Sequence, residues 1–458
     1  MKLGSMMPQP SRAAGRKYGK PHFAAGHRLF ALLAFGLAFV PLIFLSRRFG
    51  WLLVGWDLLI LVLFAFDLRQ LPLPASIEVE RSFAGTLDQL ESSSVTLTIE
   101  NRSPQRLRCA ITDAVPEALS SLPIEIETTI SERQSTATSY TIVPGRRGDC
   151  RFGPVYLRYE GPLRIAQRWA VFDVDQTVRV YPSMRESGQQ KSMLMRSRQI
   201  ELRNRMVRQR GHGREFESLR EFQFGDERRD ICWTATARRS KLVTTLRQSE
   251  RSQTIWTVVD CGRLMRARQD NRSKLDFAVE SAVRLAQLAN YGGDSSALLG
   301  YGQRLQQQRL PGRGNQHIHS LLDQLALLEE ERGEADHLHA AATLMSVQKR
   351  RAMIVWITDL ADLAITTEVV TAALQASKRH LVVVALLSQV DVLRLTATAP
   401  SNADETFLYA AASETIRRRE LMIARLRSRG VHVIEVNAPQ LTGAVLNKYL
   451  EVKQKNLL

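Results

Sequence analysis

A multidomain chain is expected: an N-terminal transmembrane helical hairpin, a β-sandwich-like domain, and an α/β doubly wound sheet. Three observations predict it. Two apolar runs lie close together near the N-terminus. Short alternating stretches follow to about residue 182. Buried strands then alternate with amphipathic helices from residue 253 onward. The 458 residues exceed one ordinary core. The expected boundaries are a basic tail (1–28), two membrane helices (29–70), the β-rich domain (71–185), a basic linker with a distinctive segment (186–252) and the α/β domain (253–458). A hydrophobic content of 44% excludes wholesale disorder. A mean hydropathy of -0.18 excludes a polytopic transporter, so any membrane part is local.

The first apolar run, Leu29 to Leu45, is uncharged and contains Pro41, which a membrane helix tolerates. Ser46-Arg47-Arg48-Phe49-Gly50 interrupts it, and Trp51 to Phe66 forms the second run, carrying Asp57. No small-residue cleavage site stands between the runs, which argues against a signal peptide. Asp57 is read as lying near an interface of a short span. Arg12, Arg16, Lys17, Lys20 and Arg28 precede the first run, and only Arg47 and Arg48 lie between the two. Positive-inside bias therefore places the N-terminus in the cytoplasm, and two crossings return the body there.

In the β-rich region, Ile77–Glu80, Val95–Ile99, Ile124–Glu127 and Val178–Tyr181 alternate with period two. Asn101-Arg-Ser-Pro104 and Pro144-Gly-Arg-Arg-Gly148 punctuate them as turns. About seven short strands in this length predict a sandwich. No catalytic cluster stands out in it.

In the last region, Thr254–Val259, Ser296–Gly300, Met353–Ile357, Leu381–Leu386 and Val431–Val436 read as strands. Ser273–Tyr291, Ile318–Glu331, Glu368–Ser377, Glu414–Ser428 and Leu441–Val452 read as helices. Alternation of this kind predicts a parallel sheet with ligand sites at the carboxyl ends of strands. Asp260 and Thr358-Asp359 fall at two such ends.

The net charge is +17, and much of it lies in the tail and between Lys191 and Arg214. Aromatics do not alternate with these charges, so nucleic-acid binding is not expected. Cys109, Cys150, Cys232 and Cys261 form no C-x-x-C pair and fit a reducing compartment. His317-Ile-His319 and His337-Leu-His339 are read as surface histidines. Pro311-Gly-Arg-Gly314 lacks the G-K-[ST] of a phosphate loop.

The most distinctive stretch runs from Gly211 to Arg238. Gly211, Gly213, Glu215, Phe216, Leu219, Arg220, Gly225, Asp226, Arg229, Ile231, Trp233, Ala237 and Arg238 fit the pattern G-x-G-x-E-F-x-x-L-R-x-Y-x-x-G-D-x-x-R-x-I-D-W-x-x-x-A-R. This resembles the signature of the bacterial domain of unknown function 58 family. Phe222 stands where that family has Tyr, Cys232 replaces its Asp or Asn, and Arg228 is an alternative to Arg229 in the Arg slot. The upstream apolar runs, Arg147-Gly148, Tyr181-Pro182 and the α/β region share that family's layout.

The resemblance implies a von Willebrand factor A-like α/β domain. Such domains often bind a metal through D-x-S-x-S, whose carboxylate and hydroxyls suit Mg²⁺. Here Asp260 is kept, but Gly262 and Leu264 replace both serines, while Thr358-Asp359 resembles the later element. A degenerate, metal-free binding site at Asp260, Thr358 and Asp359 is expected, with no cofactor; Mg²⁺ is the one candidate ion. Trp233 is expected to be buried against the α/β domain. The resemblance further implies a membrane-tethered adaptor working with a MoxR-type AAA+ ATPase, in assembly or envelope stress, at the bacterial inner membrane. Two rivals come from other classes. One is an enzyme using the carboxylates Glu215, Asp226 and Asp230, although the surrounding arginines favour salt bridges. The other is a surface adhesion protein of opposite topology.

Overall fold

A computed structural model of the chain describes residues 12–15, 22–41, 50–117, 119, 124–183, 215–223, 228, 231–248, 253–269, 271–360, 363–455 and 457. The chain divides into two compact units, Met1–Ser183 and Met184–Leu458.

The first unit begins with strands β1 (Arg12–Gly15) and β2 (His22–Ala25), then helices α1 (His27–Gly36) and α2 (Gly50–Gln70). The basic tail thus supplies two strands. Both pair by backbone hydrogen bonds, which need no alternation of side chains and left no pattern in the sequence. Among the described residues, α2 with the turn that follows it is the one helix long and apolar enough to cross a membrane. Its 21 residues span roughly 31 Å, about the thickness of a bilayer core. Helix α1 has only 10 residues. Where a first membrane helix was expected, the described residues show this short apolar helix, and residues 42–49 lie outside the described set.

Ten strands follow: β3 (Ile77–Phe83), β4 (Leu87–Asp88), β5 (Ser93–Asn101), β6 (Leu107–Asp113) and β7 (Ile124–Ile130), then β8 (Ser135–Ile142), β9 (Gly148–Phe152), β10 (Val155–Glu160), β11 (Ala166–Phe172) and β12 (Gln176–Tyr181). They and the tail form sheets β1-β3-β5-β8, β2-β11-β10-β6-β7 and β4-β12-β9. Strand β3 buries every second residue. Val79, Leu97, Ile111, Leu157, Phe172 and Phe152 from the three sheets share one core. Arg81 takes an inward position of β3 and is fully buried. It pairs with Asp113 and donates to the Val174 and Gly153 carbonyls, both at 2.9 Å. Tyr140 donates to the same carboxylate, so the charges of this buried pair are matched.

The second unit opens with a hairpin, β13 (Glu215–Glu221) and β14 (Val243–Gln248), whose connection carries α3 (Trp233–Arg239). Then come β15 (Thr254–Asp260), a short ribbon of β16 (Arg268–Gln269) and β17 (Arg272–Ser273), and α4 (Lys274–Tyr291). They are followed by β18 (Ser295–Tyr301), β19 (Leu305–Gly312), α5 (Asn315–Ala326), α6 (His337–Val347), β20 (Met353–Thr358) and α7 (Leu363–Ser377). The unit closes with β21 (Leu381–Leu387), α8 (Val390–Ala397), α9 (Ala403–Ser428), β22 (His432–Val436) and α10 (Leu441–Gln454). The sheet order is β19-β18-β15-β20-β21-β22. All neighbours are parallel except β19, which runs antiparallel at one edge. Helices α6, α7 and α9 pack with Trp256, Trp356 and Val384 on one face. Helix α4 lies against β15 and β18 and packs with α5 and α10. This is a doubly wound sheet, as expected from the sequence.

Candidate functional site

In this sheet the chain goes from β15 to β18 on one side and later to β20 on the other. The crevice at the carboxyl ends of β15 and β20 is therefore the topological switch point. Asp260 ends β15, and Thr358 ends β20 just before Asp359, so the structure brings the three expected site residues together.

Their environment is closed. Asp260 is 3% exposed, Asp359 1% and Thr358 0%. The Thr358 hydroxyl donates to Asp260 Oδ2 at 2.6 Å, and the Gly262 N–H donates to Oδ1 at 2.7 Å. Asp359 Oδ2 accepts from Lys274 Nζ at 2.5 Å. Its Oδ1 accepts from Arg419 at 2.9 Å and from the Leu360 N–H at 2.7 Å. Arg419 also donates to the Leu360 and Leu387 carbonyls and to Glu435. Burial pushes the Asp260 carboxyl up to about 6; its two hydrogen bonds pull it down, and Asp359 and Glu334 add to the rise.

A hard cation needs oxygen ligands with free lone pairs. Here Lys274 and Arg419 already place positive charge on Asp359. Gly262 has no hydroxyl, and a Cβ added there would lie 2.9 Å from the Ala335 backbone nitrogen. A serine at this position, as in D-x-S, would collide with that loop. The residues present do not fit Mg²⁺.

Lys274 and Arg419 were not read from the sequence. Lys274 occupies the first position of α4, behind a capping box made by Ser273 and Asp276. A cation there opposes the helix macrodipole. That conflict was a usable signal that a buried anion lay nearby. Arg419 is hidden in the run Arg417-Arg418-Arg419. A pocket of about 360 Å³ opens beside it, between the ends of β21 and β22 and helices α8 and α9.

Tyr301, at the end of β18, forms a second buried network. Trp356 Nε1 donates to its hydroxyl at 2.7 Å, and that hydroxyl lies 2.8 Å from His337 Nδ1. His337 is 1% exposed, which corrects its reading as a surface histidine. Its neighbour His339 is exposed, and His317 is half-buried with Nε2 2.8 Å from the Ser296 carbonyl. Burial lowers the His337 imidazole to about 4.

The signature segment is described in part. Glu215 and Phe216 lie in β13, where they pair with Gln248 and Arg247. Leu219 and Arg220 are half-buried on the same strand. Gly213, Gly225, Asp226, Arg229 and Asp230, and with them two of the three carboxylates of the rival enzyme reading, lie outside the described residues. Trp233 is 68% exposed, contrary to expectation. The hairpin buries Val243 and Thr244 instead, and pins α3 through the Cys232 N–H to the Val243 carbonyl at 2.8 Å. Arg228, Ala237, Arg238, Lys241 and Leu242 are exposed as well.

Residues 218–418 match the family described as "Protein of unknown function DUF58". The "Uncharacterized protein YeaD" of Bacillus subtilis (strain 168) is 24% identical over 323 residues, covering 62% of this chain and 77% of that protein. A solved structure of proximal thread matrix protein 1 from the mussel byssus aligns with 44% of this chain at 8% identity and a TM-score of 0.29. A second crystal form of it aligns at 11% identity and a TM-score of 0.27. The alignments span 47% and 45% of those chains.

Proposed function

We propose that this chain is a membrane-anchored, non-enzymatic interaction protein of the bacterial inner membrane. Its α/β unit is read as von Willebrand A-like without a working metal site. One observation carries the reading: Asp359 is already neutralised by Lys274 and Arg419, and Asp260 is buried with its oxygens bonded by the Thr358 hydroxyl and the Gly262 N–H. Groups committed to one another in this way are poor acids, bases or ligands for a substrate.

Membrane attachment is supported by α2. Strand β1 pairs with β3, and β2 with β11, so residues before α1 and after α2 belong to one folded body. Such a body cannot straddle a bilayer, where unpaired strands have no water to bind. A crossing by α2 therefore needs a return crossing between β2 and α2. The cations of the tail, set against Arg47 and Arg48 alone between the apolar runs, favour the cytoplasmic side.

The partner suggested by the family resemblance is a MoxR-type AAA+ ATPase. Asp260 and Asp359 are too buried to touch it. Trp233 is the better anchor, because exposed tryptophan next to arginine is typical of interface hot spots. The cations Arg228, Arg238 and Lys241 suit an acidic surface. The test is capture of a purified MoxR-type ATPase, with ATP, by the full chain in nanodiscs. Trp233→Ala should weaken capture at least tenfold, which is about 1.4 kcal/mol. Undiminished capture would move the docking surface, and no capture would remove the partnership.

A further inference from the structure

The two apolar helices leave the sheets of the first unit at one place, the turn between β10 and β11. Asp67, near the end of α2, is fully buried there. It accepts backbone N–H bonds from Leu163 and Ile165 at 2.9 Å and from Ala166 at 2.8 Å. Gly161 makes room for it, since a Cβ there would lie 2.3 Å from the carboxylate. At the root of α1, the Gly26 N–H donates to the Ile165 carbonyl at 2.7 Å. Tyr159 and Arg168 hold the carbonyl of Pro72, just beyond α2, at 2.9 and 3.0 Å. The roots of both helices are therefore fixed to the same five-residue turn, 161–165, and the first residue of β11.

From that turn the helices run side by side. Trp56 Nε1 donates to the Leu32 carbonyl at 3.1 Å, and its ring lies 5.4 Å from that of Phe35. Gly26 to Gly36 and Asp67 to Trp56 are each roughly 15 Å of helix, so the pair is in step. Around the roots, Leu73 is 63% exposed, Phe23 66% and Leu163 36%, although the domain has an ample core. Arg28 and Arg69 stand exposed beside them.

We propose that this end of the β-rich domain is a membrane seat: Leu73, Leu163 and Phe23 enter the interfacial layer while Arg28 and Arg69 meet lipid phosphates. The inference rests on the reading that α2 lies in a bilayer. If it does, a turn bonded to both helix roots is held at the headgroup level, where exposed apolar side chains are matched by the interface and cations by anionic lipid. The domain is then seated in one orientation rather than swinging on a linker. The occupant of the patch is the bilayer surface itself.

The test uses the full chain with Cys232→Ser, reconstituted in phosphatidylcholine/phosphatidylglycerol vesicles. Single cysteines are introduced as Leu73→Cys, Leu163→Cys and Val143→Cys and labelled with an environment-sensitive fluorophore. Val143 is exposed just after β8, whose Ile142 pairs with Ser93, at the end of β5 opposite Asn101, which pairs with Ile77 close after α2. Lipids spin-labelled at the headgroup should quench labels 73 and 163 several-fold more than label 143. Equal quenching at the three sites, in protein that resists alkaline carbonate extraction, would overturn the seat and leave the anchor standing. Extraction of the chain by carbonate would overturn the anchor and the seat together.

Discussion

Asp67 in the first unit and Asp359 in the second are both buried carboxylates, and they are satisfied in opposite ways. Asp67 is held by three backbone N–H groups of one turn. Asp359 is held chiefly by two side-chain cations from α4 and α9. Backbone donors are fixed by the fold and cannot turn away. Lysine and arginine side chains can leave by a change of rotamer, at the cost of uncovering a charge. The first arrangement makes a permanent joint between helix and β domain. The second closes a crevice that this architecture ordinarily leaves open to ligands.

The contrast can be broken by mutation. The largest effect is expected at Asp67. Asp67→Leu leaves three buried donors without an acceptor, on the order of 5 kcal/mol at about 1–3 kcal/mol each. Asp57→Leu, at an exposed position of the same helix, should not destabilise the fold. Denaturation of the full chain in detergent compares them; equal stability of the two variants would mean that Asp67 is no joint.

Lys274→Met should cost somewhat less, about 3 kcal/mol, because Arg419 and the Leu360 N–H still hold Asp359. A loss as large as that of Asp67→Leu would show that Arg419 shares none of the charge.

A smaller effect depends on pH. The Asp260 carboxyl is raised to about 6, so the native state binds its proton more tightly than the unfolded chain. The associated stability is present below the unfolded value near 4 and is lost as pH rises through about 6. Asp260→Asn should therefore stabilise the protein at pH 8, by up to about 2 kcal/mol, and do little at pH 4. A variant less stable than the parent at pH 8 would show that the ionised carboxylate is needed.

The smallest effect on stability is expected at Trp233. An exposed side chain contributes within about 0.5 kcal/mol, so Trp233→Ala should melt with the parent. A drop of several degrees would return the indole to a structural role.

The parallel strands were legible because both of their faces are covered. Leu381–Leu386 reads as an unbroken apolar run for that reason, and Thr254–Val259 as a run broken only by threonine. Strand β19 was missed: it is an edge strand with Gln306, Gln307 and Gln308 and no apolar alternation. Helices α6 and α8 also escaped, and α9 starts eleven residues before its expected beginning at Glu414. The first half of α9 is exposed to solvent, so no apolar stripe marked it. Of the candidate site, Asp260 and Thr358-Asp359 were legible from their place after strands. Lys274 and Arg419 were not, since the pairing spans 85 and 60 residues of sequence. The signature segment could be recognised by its residues, yet a motif does not say which way its tryptophan faces.

At the switch point the protein's own cations, Lys274 and Arg419, occupy Asp359 and leave no place for a metal ion. Titration of Mg²⁺ into the full chain, followed by calorimetry, tests it most directly. No binding heat beyond dilution is expected, for the parent and for Asp260→Asn alike. Sub-millimolar binding to the parent, lost in Asp260→Asn, would contradict it.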